Sequence, residues 1–449
     1  MQAILPKNLI QLANACPKPL YVVGGSVRDF LADMTPSFTD LDICAPMPPD
    51  EFLPIALTCG FTAQAIYRHT GTVKLSDDNG VDYEYTCFRS DKYVRGEHTP
   101  SEIFFTNDIV LDAKRRDFTC NAVYYDVANN AFVDPLNGIP AIHEKRFTTV
   151  DNAKKVFGED GLRLMRLARQ AGQLGFSPDE ECLHGAKQNA SLILDISPER
   201  IFAELTLLLQ ADQKYGIQNG HYHGLCLLDE IGVLAYLFPE LHLGKGMAQR
   251  SDFHKYDVLS HSLRATMYAP SEIRLAALLH DVGKPYCQKT DGVMHDHPTQ
   301  GKRIAQEILT RFKAPKKQIS LVCELVEWHM YDFDCKTKEN KLRRFFVTHY
   351  ELLPSLLQIK QADFSACMDD TSIAPTVQKW QEILQKMREE HAPFTLKELA
   401  LSGKDLLELP IPAPRIADTL KKLLLHTAVN PKDNEKARLL QLARCFQNE

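Results

Sequence analysis

The chain has 449 residues, 44% of them hydrophobic and 24% charged, with a formal net charge of −6. That length exceeds what one hydrophobic core organises, so two to four domains are expected. No apolar run approaches the roughly 20 residues that cross a bilayer, and the N-terminus lacks the continuous apolar stretch of a signal peptide. The twelve cysteines are scattered, without a Cys-x-x-Cys pair. They read as small buried residues of a reducing, cytoplasmic protein rather than as disulfides. The acidic balance weighs mildly against a nucleic-acid partner. Lys114-Arg115-Arg116 and Arg163, Arg166 and Arg169 nevertheless make a local positive strip.

The first 150 residues are β-rich. Leu20-Tyr-Val-Val23 is a short strand ending in Gly24-Gly25, with Ser26-Val-Arg28-Asp29 opening a helix. A strand, a glycine turn and a helix start leave backbone N–H groups free to cradle a triphosphate. Arg28, one turn into the helix, is placed to pair with phosphate oxygens. A glycine pair at a strand end is also the mark of a plain turn, and both readings stand. Next comes Thr39-Asp40-Leu41-Asp42-Ile43. Two aspartates spaced by two on a strand point to one face. Their mutual repulsion is relieved by a cation, and carboxylates suit Mg²⁺ shared with substrate phosphates. The alternative is a solvated turn. Val81 to Phe88 alternates as a half-buried strand, where Glu84 offers a third carboxylate. Ala122–Asp126 and Ala131–Val133 predict a hairpin around Asn129-Asn130. Arg116 reads as a surface ion pair, and Asp117 and Asn121 as local capping groups.

From Asp160 onward helical periodicity takes over. Leu162, Met165 and Ala168 alternate with arginines on one long predicted helix, and further helices are predicted over 201–209, 273–279, 302–312 and 417–425. The expected fold is α+β: a head with a small β-sheet and helices (1–148), then an all-α neck and body (149–245), a metal-binding helical domain (246–370) and a helical tail (371–449). Asp160 and Arg163, three apart, are expected on one helix face. Cytosine and adenine both present an amino donor beside a ring-nitrogen acceptor. Asp160 would accept from the amino group and Arg163 donate to the ring nitrogen. Uracil and guanine reverse that order, and each unpaired buried polar group costs about 1–3 kcal/mol. The alternative is an ion pair on a solvated helix. Arg166 and Arg169 follow, facing phosphates or supporting the pair.

The body carries His261, then Ala276-Ala-Leu-Leu-His280-Asp281-Val-Gly-Lys-Pro285, then His295, His297, His329 and Asp363. Imidazoles and carboxylates together suit a transition metal, Mg²⁺ or Mn²⁺. Ligands from separate helices would build the site inside a helical bundle.

Four motifs in order are Gly24-Gly-Ser-Val-Arg-Asp29, Asp40-Leu-Asp42, Arg115-Arg-Asp-Phe-Thr-Cys-Asn-Ala122 and Phe157-Gly-Glu-Asp-Gly-Leu-Arg-Leu-Met-Arg166. Together they resemble the bacterial class II tRNA nucleotidyltransferase and poly(A) polymerase family. The likeness continues through Asp134-Pro-Leu-Asn-Gly138, Ser197-Pro-Glu-Arg200 and Leu396 to Leu406, so it spans nearly the whole chain. It implies that Asp40 and Asp42 hold catalytic Mg²⁺. It also implies that Gly25, Arg28 and Arg116 contact the nucleotide, and that Asp160 and Arg163 act as a protein template for CTP and ATP. The acceptor would be the tRNA 3′ end. The stretch from His261 to Asp363 resembles HD-domain phosphohydrolases. That resemblance assigns His261, His280, Asp281 and Asp363 to an unidentified divalent metal (Mg²⁺, Mn²⁺, Ni²⁺ or similar), with His297 and His329 as additional ligands. The sequence departs from the family at 91–102, where an Asp-Gly-Arg-rich loop is usual, and after Gly138, where an acidic residue is replaced by Pro140-Ala141-Ile142. The rival readings are a poly(A) polymerase, a CC- or A-adding half-enzyme, and an HD phosphohydrolase with a nucleotide-sensing head. Oligomeric state is not legible.

Overall fold

The structure, a computed structural model, describes residues 1, 4–34, 40–92 and 101–446. Thr39 and the centre of the divergent loop, 93–100, lie outside the described residues. The chain divides into two compact units, Met1–Pro239 with Arg311–Lys313, and Glu240–Thr310 with Ala314–Glu449.

The first unit opens on a mixed sheet. Its strands are Tyr21–Val23 (β1), Asp40–Ala45 (β2), Thr62–Tyr67 (β3), Thr72–Ser76 (β4) and Asp82–Cys87 (β5). A ribbon, Arg89–Lys92 (β6) and Glu102–Phe105 (β7), precedes Tyr124–Asp126 (β8) and Ala131–Val133 (β9). The seven-stranded order is β3-β4-β5-β2-β1-β8-β9. Only β2 and β5 pair in parallel within it; the other neighbours are antiparallel. The period-two pattern explains its faces. Tyr83, Tyr85 and Cys87 of β5 and Leu41 and Ile43 of β2 are buried. Asp40, Asp42 and Glu84 fall on the opposite, accessible side. Phe52, from the helix Pro49–Thr58, stacks on Tyr85. Burying aromatics of this size contributes roughly 2–3 kcal/mol each. The predicted hairpin is β8–β9, with Asn130 in the left-handed region (φ 51°) as its turn requires.

Helices dominate after the head, joined by one two-residue parallel pairing, Arg146–Phe147 (β10) with Ser177–Pro178 (β11). The long helix Leu162–Leu174 turns Leu164, Met165, Leu167 and Ala168 inward. Asp160 does not belong to it, contrary to the sequence expectation. The preceding helix, Ala153–Glu159, stops at Asp160, whose backbone is extended (φ −144°, ψ 107°). The break follows from packing and capping. A Cβ on Gly161 would come within 2.4 Å of the Leu192 carbonyl oxygen, and the Asp160 carboxylate accepts from Leu162 N at 2.9 Å. Asp160 therefore acts as a cap at a break between helices.

In the second unit the helices Val258–Tyr268, Arg274–Leu279, Lys316–Trp328 and Leu353–Met368 form one core. Pro375–Glu389 follows, with Trp380 fully buried. Among the described residues no helix is long and apolar enough to cross a membrane.

Candidate active site and metal centre

The head site starts at Gly24. Its φ of +82° suits glycine, and a Cβ there would lie 2.9 Å from Asp42 Oδ2. The bare turn thus lets the Asp42 carboxylate come up against the start of the helix Gly25–Leu31. Asp42 stands opposite Glu84 in the parallel β2–β5 register, and Asp40 opposite Asp82. Loss of hydration raises the Asp42 carboxyl above its ordinary pKa; Glu84 and Asp40 add to the rise, and Arg116 and Arg166 oppose it. The repulsion of like charges gathered on one face is relieved by a bound cation, and carboxylate oxygens suit Mg²⁺.

Asp42, Gly24 and Gly25 line a cavity of about 400 Å³ together with Arg28, Arg116, Asp160, Arg163, Arg166 and Arg169. Sites predicted from four separated motifs are thereby brought together. Asp40 and Glu84 are not among its lining residues, although they flank Asp42.

Each cavity arginine is held by protein acceptors. Arg28 is buried, donating to Asp29 Oδ1 at 2.6 and 2.9 Å and to Asn121 Oδ1 at 2.7 Å. Tyr215 donates to the other Asp29 oxygen. Arg116 reaches Asp112 (3.3 Å) and lies over the Tyr124 ring. Arg166 donates twice to Asp117 Oδ2, at 2.7 and 2.9 Å. Burial alone would raise the Asp117 carboxyl, but Arg166 and Asn121 hold it well below the usual range. Asp117 and Asn121 are therefore more than local caps: Asn121 also bonds Gln170, 49 residues on. Arg163 donates to Val156 O (2.8 Å), Glu159 (3.1 Å) and Arg115 O (2.9 Å). Arg169 donates to Glu204 and Gln173. Burial pushes the Asp160 carboxyl up to about 6, against the Leu162 N–H and the Arg163 and Arg166 charges.

The second centre gathers His261, His280, Asp281, His297, His329 and Asp363. His261 Nε2 lies 3.0 Å from Asp363 Oδ1 and 3.1 Å from His280 Nε2. His280 Nε2 and His297 Nε2 each stand 3.2 Å from an Asp281 oxygen, and His329 Nε2 is 3.3 Å from His297 Nε2. The Nδ1 atoms of His280, His297 and His329 each meet a backbone carbonyl at 2.7 Å, of Ala277, Met294 and Val326 respectively. A carbonyl only accepts, so each Nδ1 carries hydrogen, and each ring when neutral turns an Nε2 lone pair inward. Converging lone pairs beside two carboxylates fit a divalent metal, and the carbonyls are the outer partners such ligands need. His295 is exposed and stands apart.

Residues 20–148 match the poly(A) polymerase head domain, 175–243 the probable RNA- and SrmB-binding site of polymerase A, and 256–362 the HD domain. The first two of these segments thus match models of poly(A) polymerases, and the third matches a separate helical domain type. A CCA-adding enzyme of Geobacillus is 37% identical over 51% of this chain and 53% of its own length. The chain thus spans about half the length of that curated relative. A CC-adding tRNA nucleotidyltransferase of Thermus thermophilus is 29% identical over 94% of both chains. The crystal structure of the Bacillus stearothermophilus CCA-adding enzyme in complex with CTP superposes with a TM-score of 0.67, at 25% identity, covering 98% of this chain and 96% of that one. Nucleotidyltransferase and HD domains both use divalent metals.

Around this nucleotidyltransferase head, sequence reading missed Asp112, Gln170, Lys214 and Tyr215. Asp112 is fully buried, with its carboxyl at about 2: burial raises it, and Arg115 and Arg116 overcome that. Its spacing of three and four from those arginines is a signal present in the sequence. Gln170 bonds Arg28, Asn121 and Asp117, none of them near it in the chain. Beside the HD centre, Lys284 bonds Asp281, one turn before it.

Proposed function

We propose that this protein adds C, C and A to the 3′ end of tRNA without a nucleic-acid template, using CTP and ATP. The observation that carries this reading is a single cavity lined by Gly24 and Asp42 together with Asp160 and Arg163. The first pair suits a triphosphate and the second a base edge. Asp40 and Asp42 would hold Mg²⁺, which supplies charge neutralisation at the phosphates. The tRNA 3′-hydroxyl attacks the α-phosphorus in line, and pyrophosphate leaves. Gly25 backbone N–H, Arg28 and Arg116 orient the triphosphate. Asp160 accepts from the amino group of cytosine or adenine, and Arg163 donates to the neighbouring ring nitrogen. Positioning and charge supply most of the acceleration. Arg166 and Arg169 brace the cavity wall through Asp117 and Glu204. In the HD domain, His261, His280, Asp281 and Asp363, joined by His297 and His329, would hold a divalent metal. A metal there would supply an acidified water for phosphoester hydrolysis.

A CC- or A-adding half-enzyme is the second reading, favoured by the Thermus thermophilus CC-adding relative and by a Deinococcus radiodurans A-adding tRNA nucleotidyltransferase, both of which match along nearly the whole chain. The test supplies Mg²⁺ and tRNA transcripts ending before CCA, after C and after CC, with each labelled nucleotide in turn. Two C and one A, with U and G refused, is the expected result. Addition stopping after the second C, or of A alone after CC, identifies a half-enzyme, a long A tail identifies a poly(A) polymerase, and no incorporation overturns the proposal.

A further inference from the structure

Three of the buried histidines at the HD centre fix their rings by the same Nδ1–carbonyl contact. His261 does not. Its ring is 0% exposed, its Nε2 faces Asp363 and His280, and its Nδ1 has no hydrogen-bond partner. A buried polar atom left this way is unfavourable, so it calls for a ligand. The Nδ1 of His254 is also buried without a partner, and the His254 ring meets His261 edge-on with centroids 5.0 Å apart. Cys367 stands one helical turn beyond Asp363 on Leu353–Met368, so both side chains share a face. One ring nitrogen from each histidine and Cys367 Sγ all lie within 4.8 Å of one another.

We propose that His254, His261 and Cys367 form a second metal site for a borderline-soft divalent cation of the Zn²⁺ type, with the His261 ring shared between it and the HD centre. The ligand chemistry separates the two positions. Imidazoles and carboxylates at the HD centre accept harder ions, whereas a thiolate with two imidazoles favours Zn²⁺ or its soft analogues. Three protein ligands leave a fourth tetrahedral position for water. On binding, the Cys367 thiol and the His261 ring each give a proton to solvent, since a ring that holds a metal on both nitrogens is an imidazolate, and the new negative charges offset part of the second cation. The site is independent of nucleotidyl transfer in the head.

The test strips the full chain with a chelator and titrates it with Co²⁺, reading thiolate-to-cobalt charge transfer in the near ultraviolet. Cobalt held by Asp40 and Asp42, or by the HD ligands alone, has only oxygen and nitrogen donors and gives no such band. The expected result is a saturable band, absent in Cys367→Ser and His254→Ala and retained in His297→Ala. A second measurement needs no variant: Zn²⁺ added to the stripped wild type slows alkylation of Cys367, followed by mass spectrometry of its peptide. A wild type without the band, a band that survives Cys367→Ser, or alkylation indifferent to Zn²⁺ would each overturn the assignment.

Discussion

Asp42 and Glu84 are register partners on adjacent parallel strands, so two carboxylates lie side by side on the accessible face of the sheet. Glu84 is one of the charges that raise the Asp42 carboxyl. Replacing Glu84 with Gln lowers the Asp42 pKa, so the acid limb of nucleotide incorporation moves to lower pH. Asp42→Asn removes the carboxylate proposed to hold Mg²⁺, and incorporation falls by about 10³-fold or more, the scale of a lost metal-assisted phosphoryl transfer. Rates measured from pH 5 to 9 at saturating Mg²⁺ check both; an unmoved acid limb in Glu84→Gln rules out the coupling.

The second prediction concerns Asp160, whose folded carboxyl titrates at about 6. Above that pH, on the proposed reading, it accepts from the amino groups of C and A. As pH falls through 6 it gains a proton, and discrimination against UTP and GTP weakens. The folded pKa stands above the unfolded value of about 3.9, so the ionised side chain opposes folding at pH 8; that penalty shrinks through pH 6 and is gone below about 4. Asp160→Asn, which keeps an oxygen for Leu162 N, is therefore expected to stabilise the protein by roughly 1–3 kcal/mol at pH 8 while losing base selectivity. Urea unfolding at pH 8 and pH 4, beside misincorporation assays, reads both effects.

Gly24 and Gly25 separate by a steric criterion. Alanine at Gly24 meets Asp42 Oδ2 at 2.9 Å on a backbone with positive φ, whereas at Gly25 its Cβ is 3.5 Å from Arg28 Nη2, an ordinary contact. Gly24→Ala should cost about 1 kcal/mol or more of stability and displace the Asp42 carboxylate, with near-complete loss of activity. Gly25→Ala should change stability little. Equal thermal shifts in the two variants contradict the distinction.

Asp117→Asn breaks the pair with Arg166. Arg166 is 37% exposed, so the loss is discounted for solvent to roughly 1–3 kcal/mol. Because the folded Asp117 carboxyl is depressed, its contribution is full above the unfolded value near pH 4 and is lost as pH falls through the folded one. Denaturation between pH 3 and 7 should show a shallower acid decline in the variant than in the wild type.

The paired aspartates, the glycine turn, the hairpin and the histidine set were legible in the sequence because each is local or carries a short spacing. Asp160 shows the limit. A spacing of three from Arg163 reads as one helical face, yet the chain breaks there because Gly161 packs against the Leu192 carbonyl, a contact no local pattern reveals. Gln170 was invisible for a similar reason: the polar atoms it joins lie 49 to 142 residues away. His254 and Cys367 lack a motif, and only the packing of separate segments against His261 draws them together.

Arg163 donates to two backbone carbonyls and one carboxylate. Its rotamer entropy, up to about 2 kcal/mol for an arginine, is surrendered when the chain folds and not when a nucleotide arrives. On the proposed reading, the side chain that faces the base is set before a nucleotide arrives, and substrates are sorted by how they seat against it.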